Sequence, residues 1–225
     1  MMICPETFYE ETLKGKNAEQ IMTVIRSLKQ EIGHLKNVIE HPDYVASMCP
    51  SESTSLWCNR LYLARAKQAL EEQGVKYTPS QAEIKAAEFD DNIPFICKMI
   101  LSIGGYFQGN ETITVTINGE NLRLWVSHSS IPMPSNFDIE KNYPINKEDF
   151  LSGLYDLHIG EWRKDYNPSR FGYVILDGTQ WELEIHYSNG RKPLKIYGDN
   201  SYPYNFDKLK ELLGIYDFED EDDDS

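Results

Sequence analysis

No stretch of the chain approaches the roughly 18 consecutive apolar residues that a membrane-crossing helix needs. The opening Met1-Met2-Ile3-Cys4-Pro5 has neither a basic region nor an apolar core, so no secretory leader is expected. Cysteine is sparse: Cys4, Cys49, Cys58 and Cys97 are far apart and form no Cys-x-x-Cys pair. That spacing favours free thiols in a reducing cytoplasm over a disulfide framework. Basic residues are outnumbered 22 to 36, for a net charge of −14. The imbalance argues against direct binding to nucleic-acid phosphates, which needs a basic face, and leaves a basic partner protein open. Also missing are Gly-x-Gly-x-x-Gly, the phosphate-binding loop and His-Glu-x-x-His. The glycines of Gly104-Gly105-Tyr106-Phe107-Gln108-Gly109 read as a turn or bulge rather than a phosphate site.

Periodicity is plentiful. Trp181, Leu183, Ile185 and Tyr187 alternate with Glu182, Glu184 and His186, the period of two of a strand with one buried face. Asn189-Gly190 follows, a pair suited to a type I′ turn. A reversal there places Ile185 opposite Leu194, Leu183 opposite Ile196 and Glu184 opposite Lys195, matching apolar with apolar and acid with base. Asp177-Gly178 predicts a second hairpin, with Phe171–Leu176 as its other strand. Asn205 is placed to cap a helix ending near Leu213, with Gly214 as the stop. Upstream, Asn118-Gly119 predicts another hairpin, with Val115 facing Leu122 and Ile113 facing Leu124. Phe95–Ile103 is an apolar run that fits a buried strand or a short buried helix. Asn146 with Asp149 predicts a helix to about Leu157. Tyr143-Pro144-Ile145-Asn146 and Tyr202-Pro203-Tyr204-Asn205 each precede a helix and follow an Asn-Gly pair, the pattern of a possible β-β-β-α duplication.

The first part of the chain has helical spacing. After an irregular lead-in over residues 1–16, Asn17 and Gln20 form a capping pair for a helix to about His41. Its Ile21, Ile25, Leu28, Ile32, Leu35 and Ile39 make a heptad seam. A second helix over about Ser51–Gln73 carries Leu56, Leu63 and Leu70, joined by Trp57, Leu61 and Ala66. Two seams joined by a short loop predict an antiparallel helical hairpin, with a dimer through the 21–39 seam as the rival outcome. Thr78-Pro79 predicts the start of a third helix, with proline at its first position, ending near Phe89. The expected fold class is therefore α+β: an N-terminal antiparallel helical hairpin plus a third helix, then an antiparallel β-sheet built from two Asn-Gly hairpin units with two covering helices. The divisions are a helical region over 1–92, a sheet with helices over 93–216, and a disordered acidic tail over 217–225. Like charges in Asp217, Glu219, Asp220, Glu221, Asp222, Asp223 and Asp224 repel one another, and no apolar residue anchors them after Phe218.

The whole chain resembles an uncharacterised family of proteins from Gram-positive gut anaerobes, often carried on mobile elements. Three stretches carry the resemblance: Ile3-Cys4-Pro5-Glu6-Thr7-Phe8-Tyr9, then Cys49-Pro50-Ser51-Glu52-Ser53-Thr54, then Asp177-Gly178-Thr179-Gln180-Trp181 with Tyr202-Pro203-Tyr204-Asn205-Phe206. The resemblance brings no activity and no catalytic or binding residue.

Candidate chemistry is thin. Glu182, Glu184 and His186 share a strand face and could hold a divalent metal; the alternative is a wet face with Glu184 neutralised by Lys195. His158 and Glu161, beside Trp162, could form an acid–base pair or a plain turn. Ser127-His128-Ser129-Ser130 lacks the glycine-flanked elbow of a hydrolase serine. Tyrosine is abundant, at 14 of 225 residues, and Tyr173, Trp181, Tyr197, Tyr202 and Tyr204 are candidate recognition residues. No cofactor and no membrane association are expected. The leading expectation is a non-enzymatic cytoplasmic binding or accessory protein of a mobile element. One specific form is an acidic inhibitor of a nucleic-acid-processing enzyme; the alternative is a small metal-dependent enzyme using the Glu-x-Glu-x-His face.

Overall fold

The computed structural model describes residues 3–105, 109–129, 139–141 (backbone only), 145–175 and 177–215. The acidic tail, Tyr143-Pro144, Ser130 and the middle of the 104–109 glycine stretch lie outside the described residues. The chain divides into two compact units, Met1–Ser80 and Gln81–Ser225. The third predicted helix thus belongs with the sheet and not with the helical region. Among the described residues no helix is long and apolar enough to cross a membrane. All four cysteines are free thiols.

The first unit is built on helices α1 (Pro5–Phe8), α2 (Ala18–Ile39) and α3 (Glu52–Glu72). The lead-in is helical rather than irregular: Cys4 caps α1, and a π-helical turn over Tyr9–Leu13 continues it. Phe8 stacks on Tyr62 at 4.5 Å, and the Tyr62 hydroxyl accepts from the Ile3 amide and donates to the Ile3 carbonyl. Those contacts order a segment whose own sequence has no helical period. Asn17 and Gln20 form the reciprocal capping box at the start of α2. Ile21, Ile25 and Leu28 pack with Ala66, Ala69 and Leu70 of α3, so the heptad seam is buried within the chain by an antiparallel partner. Trp57 departs from expectation: it stands 60% exposed instead of joining the seam. Ser51 caps α3, and Gly74 ends it in the left-handed region at φ 77°.

The connection between α2 and α3 is tied down by one carboxylate. Glu52 accepts from the Tyr44 hydroxyl at 2.9 Å, the Ser47 amide at 3.1 Å and the Ser47 hydroxyl. These donors, the Ser47 hydroxyl foremost, hold the Glu52 carboxyl at about 2, below its ordinary 4.5. The tether is therefore complete above the ordinary value and is lost as pH falls toward about 2.

Among the described residues the second unit contains α4 (Gln81–Asp90), α5 (Lys147–Leu157), α6 (Phe206–Leu212) and seven strands. The strands are β1 (Ile96–Gly105), β2 (Gly109–Asn118), β3 (Asn121–Ser129), β4 (Ile139–Lys141), β5 (Asp165–Tyr166), β6 (Thr179–Tyr187) and β7 (Leu194–Asp199). They form one sheet in the order β4-β3-β2-β1-β6-β7-β5, antiparallel throughout except for the short β5–β7 pair. The ambiguous apolar run is thus the central strand, paired on both edges. An irregularity in the β1–β6 register between Ile96 and Lys98 lets Ile96 and Met99 both be buried, which hides the alternation in the sequence.

Two aligned rows cross the buried face: Val126–Ile113–Leu101–Leu183–Ile196 and Leu124–Val115–Met99–Ile185–Leu194. They form one core with Phe89 of α4, Phe150, Leu154 and Leu157 of α5, and Phe206 and Leu209 of α6. Helices therefore cover this face, as expected. Gly160 sits where a Cβ would come within 2.7 Å of the Ala86 Cα, so only glycine admits α4 at this distance.

The β6–β7 register is the expected one, with Ile185 opposite Leu194, Leu183 opposite Ile196 and Glu184 opposite Lys195. Its turn is not type I′, because only Gly190 has positive φ, at 80°. The β2–β3 register is displaced by two residues: Val115 faces Leu124 and Ile113 faces Val126. The reversal centres on Gly119 (φ 59°) and Glu120, glycine first, rather than on Asn118-Gly119. A two-residue slip keeps every side chain on its face, so alternation alone could not detect it.

The predicted Phe171–Leu176 strand does not form over its described residues. Pro168–Phe171 is a 3-10 turn, followed by Gly172 at φ 85°, and both edges of β6 are taken by β1 and β7. The α4 helix begins at Gln81, leaving Pro79 outside it. Asn146 caps α5 through the Asp149 amide, whereas Asn205 makes no capping bond to α6. The two halves of the possible duplication therefore differ at both the turn and the cap. Asn205 instead accepts from Trp162 Nε1 at 3.0 Å and donates to the Leu157 carbonyl at 2.7 Å, all of it buried.

Two predictions follow from these tethers. The Glu52 carboxyl resonance is expected to titrate near 2, below its ordinary 4.5, in a pH series followed by NMR. Asn205→Ala orphans a buried indole N–H and a buried carbonyl, and should lower unfolding free energy by about 2–4 kcal/mol in chemical denaturation. A loss under about 0.5 kcal/mol, the size of an ordinary surface change, would mean the side chain contributes nothing beyond filling space.

Candidate functional site: an open sheet face and a cleft at its end

The helices that form the core all pack on one side of the sheet. On the other side three aligned rows cross the strands. The middle row is Trp125–Thr114–Ile100–Glu184–Lys195. Toward one end lies Arg123–Thr116–Lys98–His186, and toward the other Ser127–Thr112–Ser102–Glu182–Tyr197. Trp125 and Ile100 are half-buried, and Tyr197 is 46% exposed. Arg123 and Lys98 lie toward one end of the face and Glu182 toward the other.

The proposed metal triad sits on this face. Lys195 Nζ lies 3.1 Å from Glu184 and 3.6 Å from Glu182, and His186 Nε2 lies 3.0 Å from Glu184 Oε1. The hydrogen bond from Lys195 to Glu184 holds the ammonium above its ordinary range. Glu184 is therefore shared between a lysine and an imidazole. Among the described residues no three His, Cys, Asp or Glu side chains are grouped to hold a metal ion.

The five recognition candidates do not form one cluster, although Trp181 and Tyr202 stack. Tyr197 is on the open face. Trp181 is on the core face, 3% exposed, with Nε1 donating to the Ser201 carbonyl at 2.9 Å. A Cβ on Gly198 would overlap that indole, so the glycine makes room for it. Burial removes Trp181 from any recognition surface: it is the floor for Phe206 at 4.7 Å and Tyr202 at 6.3 Å. Tyr202 is part-exposed above it, and burial pushes its phenol upward. Tyr204 is half-buried at the core margin, and Tyr173 is half-buried beyond the 3-10 turn. Of the acid–base candidates, His158 ends α5 at φ 48°, and Ile159–Glu161 is a 3-10 turn leading to buried Trp162. That is a turn with a packed indole.

A second feature lies at one end of the core face. The row beyond the two apolar ones reads His128–Glu111–Ile103–Trp181–Gly198. Here the inward side of β2 and β3 turns from apolar to charged. A cleft of about 530 Å³ opens at this point. Its apolar lining comes from Ile103, Ile113, Phe206 and Ile215. On one wall Glu111 Oε2 is 3.9 Å from His128 Nδ1; on the other Lys210 Nζ is 3.1 Å from Asp207 Oδ1, beside Tyr202.

Sequence reasoning missed the Glu111–His128 pair because the expected register sets Glu111 opposite Val126, whereas the observed one sets it opposite His128. It also passed over Trp125, although a tryptophan alternating with Leu124 and Val126 on the polar side of its strand is a legible signal. No protein-family model matches the chain, and neither a curated protein nor a solved structure matches it.

With Lys195 as the counter-ion of Glu184, adding Zn²⁺ or Mn²⁺ should leave the thermal midpoint unchanged. A rise that grows with metal concentration would instead establish binding to the folded state.

Proposed function

We propose that the chain is a binding protein that receives a partner protein on the open face of its sheet. The observation that carries this reading is the middle row, where Trp125 and Ile100 flank Thr114 on either side within a polar surround. Half-buried aromatic and aliphatic groups ringed by polar side chains are the anatomy of an interface core and rim. Tyr197 extends the aromatic content to the far edge of the face, and Arg123 supplies the cation most favoured at interfaces.

The net charge of −14 favours a basic partner through long-range attraction, which acts chiefly on the rate of encounter. In its most specific form the reading is an acidic inhibitor occupying the basic groove of a nucleic-acid-processing enzyme. The carboxylates from Asp217 to Asp224 would add to the field that draws such a partner in. The metal-enzyme alternative gains no support from Glu184, whose oxygens already meet Lys195 and His186.

The test is positional. The full chain carrying a photo-crosslinker in place of Tyr197 should capture a lysine- and arginine-rich protein, and the same label at Glu31 should not. Trp125→Ala combined with Ile100→Thr should abolish capture while leaving the buried rows, and hence the cooperative melt, in place. Undiminished capture by the double variant would remove the open face from the reading.

A further inference from the structure

The cleft at the end of the core face is independent of the open face, lying on the other side of the sheet. Two of its properties bear on what it could hold. Its volume of about 530 Å³ lies within the range of roughly 300–1,000 Å³ typical of small-molecule sites. Its lining has an apolar base, a carboxylate–imidazole pair on one wall (Glu111 with His128) and a carboxylate–ammonium pair on the other (Asp207 with Lys210).

Glu111 and His128 are placed by register on the side of the sheet that elsewhere carries Val115, Ile113, Leu124 and Val126. Both side chains are solvent-accessible there, and the pair spans 3.9 Å, beyond ordinary hydrogen-bond length, so it is a loose one that a ligand can enter. A ligand bearing a single charge would draw one member of a pair and leave the other short of its counter-ion. A ligand bearing both charges can offer an ammonium to a carboxylate and a carboxylate to a cation at once. The Tyr202 hydroxyl adds a neutral donor on the Lys210 wall.

We propose that this cleft binds a small zwitterion with an apolar body, of the kind represented by aromatic and branched apolar α-amino acids. The body occupies the base formed by Ile103, Ile113, Phe206 and Ile215. The ammonium meets Glu111 or Asp207, and the carboxylate meets Lys210 or His128.

The probes are L-phenylalanine and L-leucine, titrated into the full chain and followed by calorimetry and by amide shifts. Phenylacetate and phenethylamine, which keep the ring and one charge each, are the controls. Saturable binding of the amino acids is expected, with shifts centred on residues 109–113, 127–129 and 202–210. The single-charge controls should bind at least about tenfold more weakly, the cost of losing one charged hydrogen bond. Glu111→Gln and His128→Ala, both at solvent-accessible positions, should weaken L-phenylalanine by a similar factor without shifting the melting midpoint. Lys210→Met is the stronger test but touches a half-buried stem, so its melt is measured alongside. No saturable binding up to roughly 10 mM, the weak limit of specific recognition, would overturn the proposal. So would equal binding of L-phenylalanine and phenylacetate, or shifts confined to other parts of the sheet. Because the open-face variants leave these residues untouched, either reading can fail while the other stands.

Discussion

Pairing of β1 on both of its edges is the constraint on which the sheet unit depends. Ile96–Gly105 holds β2 on one side and β6 on the other, so the two hairpins become one sheet only through it. Its irregularity between Ile96 and Lys98 turns Ile96 toward the same side as Met99 and Leu101. From that alignment comes the continuity of the apolar rows, and the helices have a single surface to cover. The opposite side is then left with Lys98, Ile100 and Ser102, whose neighbours across the strands define the open face.

The division between the two faces is sharp in its energetics. On the core side Leu101 and Leu183 are fully buried and aligned, and each buried side chain of this type stabilises the fold by roughly 1.5–3 kcal/mol. On the open side the ion pairs of Lys195 with Glu182 and Glu184 are part-exposed, and exposed pairs contribute little. The open face can therefore vary without loss of fold, while the core rows cannot. The cleft lies where this division breaks down, with Glu111 and His128 standing in a position that the sheet otherwise fills with apolar groups.

Much of the architecture was legible in local patterns. The heptad in α2, its capping box, the seam on α3 and the β6–β7 register all follow from spacing and from short-range chemistry. The failures share a cause. Phe171–Leu176 has the composition of a strand, but β6 has only two edges, one taken by its hairpin partner β7 and the other by β1, remote in sequence. The β2–β3 slip preserves the faces, so only the backbone of Gly119 and Glu120 decides it. Asn205 resembles a cap by position, yet Trp162 and the Leu157 carbonyl, both remote in sequence, engage its amide. Of the candidate sites, Tyr197 and the Glu184–Lys195 pair were visible, since alternation assigns faces. The cleft was not, because its walls come from β2, β3 and α6, and no local pattern joins them.

The order of strands has a consequence for how the chain is made. The β2–β3 hairpin can zip soon after it leaves the ribosome, since its halves adjoin in sequence. The partner on the other edge of β1 is not synthesised until residues 179–187, so the central strand waits, half-paired, through the synthesis of β4, α5 and β5. During that interval Met99, Leu101, Ile113 and Val115 have only part of their final cover. Sheets closed by such distant pairing fold slowly and pass through states prone to association. Translation speed between β3 and β6, and access of holding chaperones to the nascent β1–β3 segment, are therefore levers on how much native protein a cell obtains.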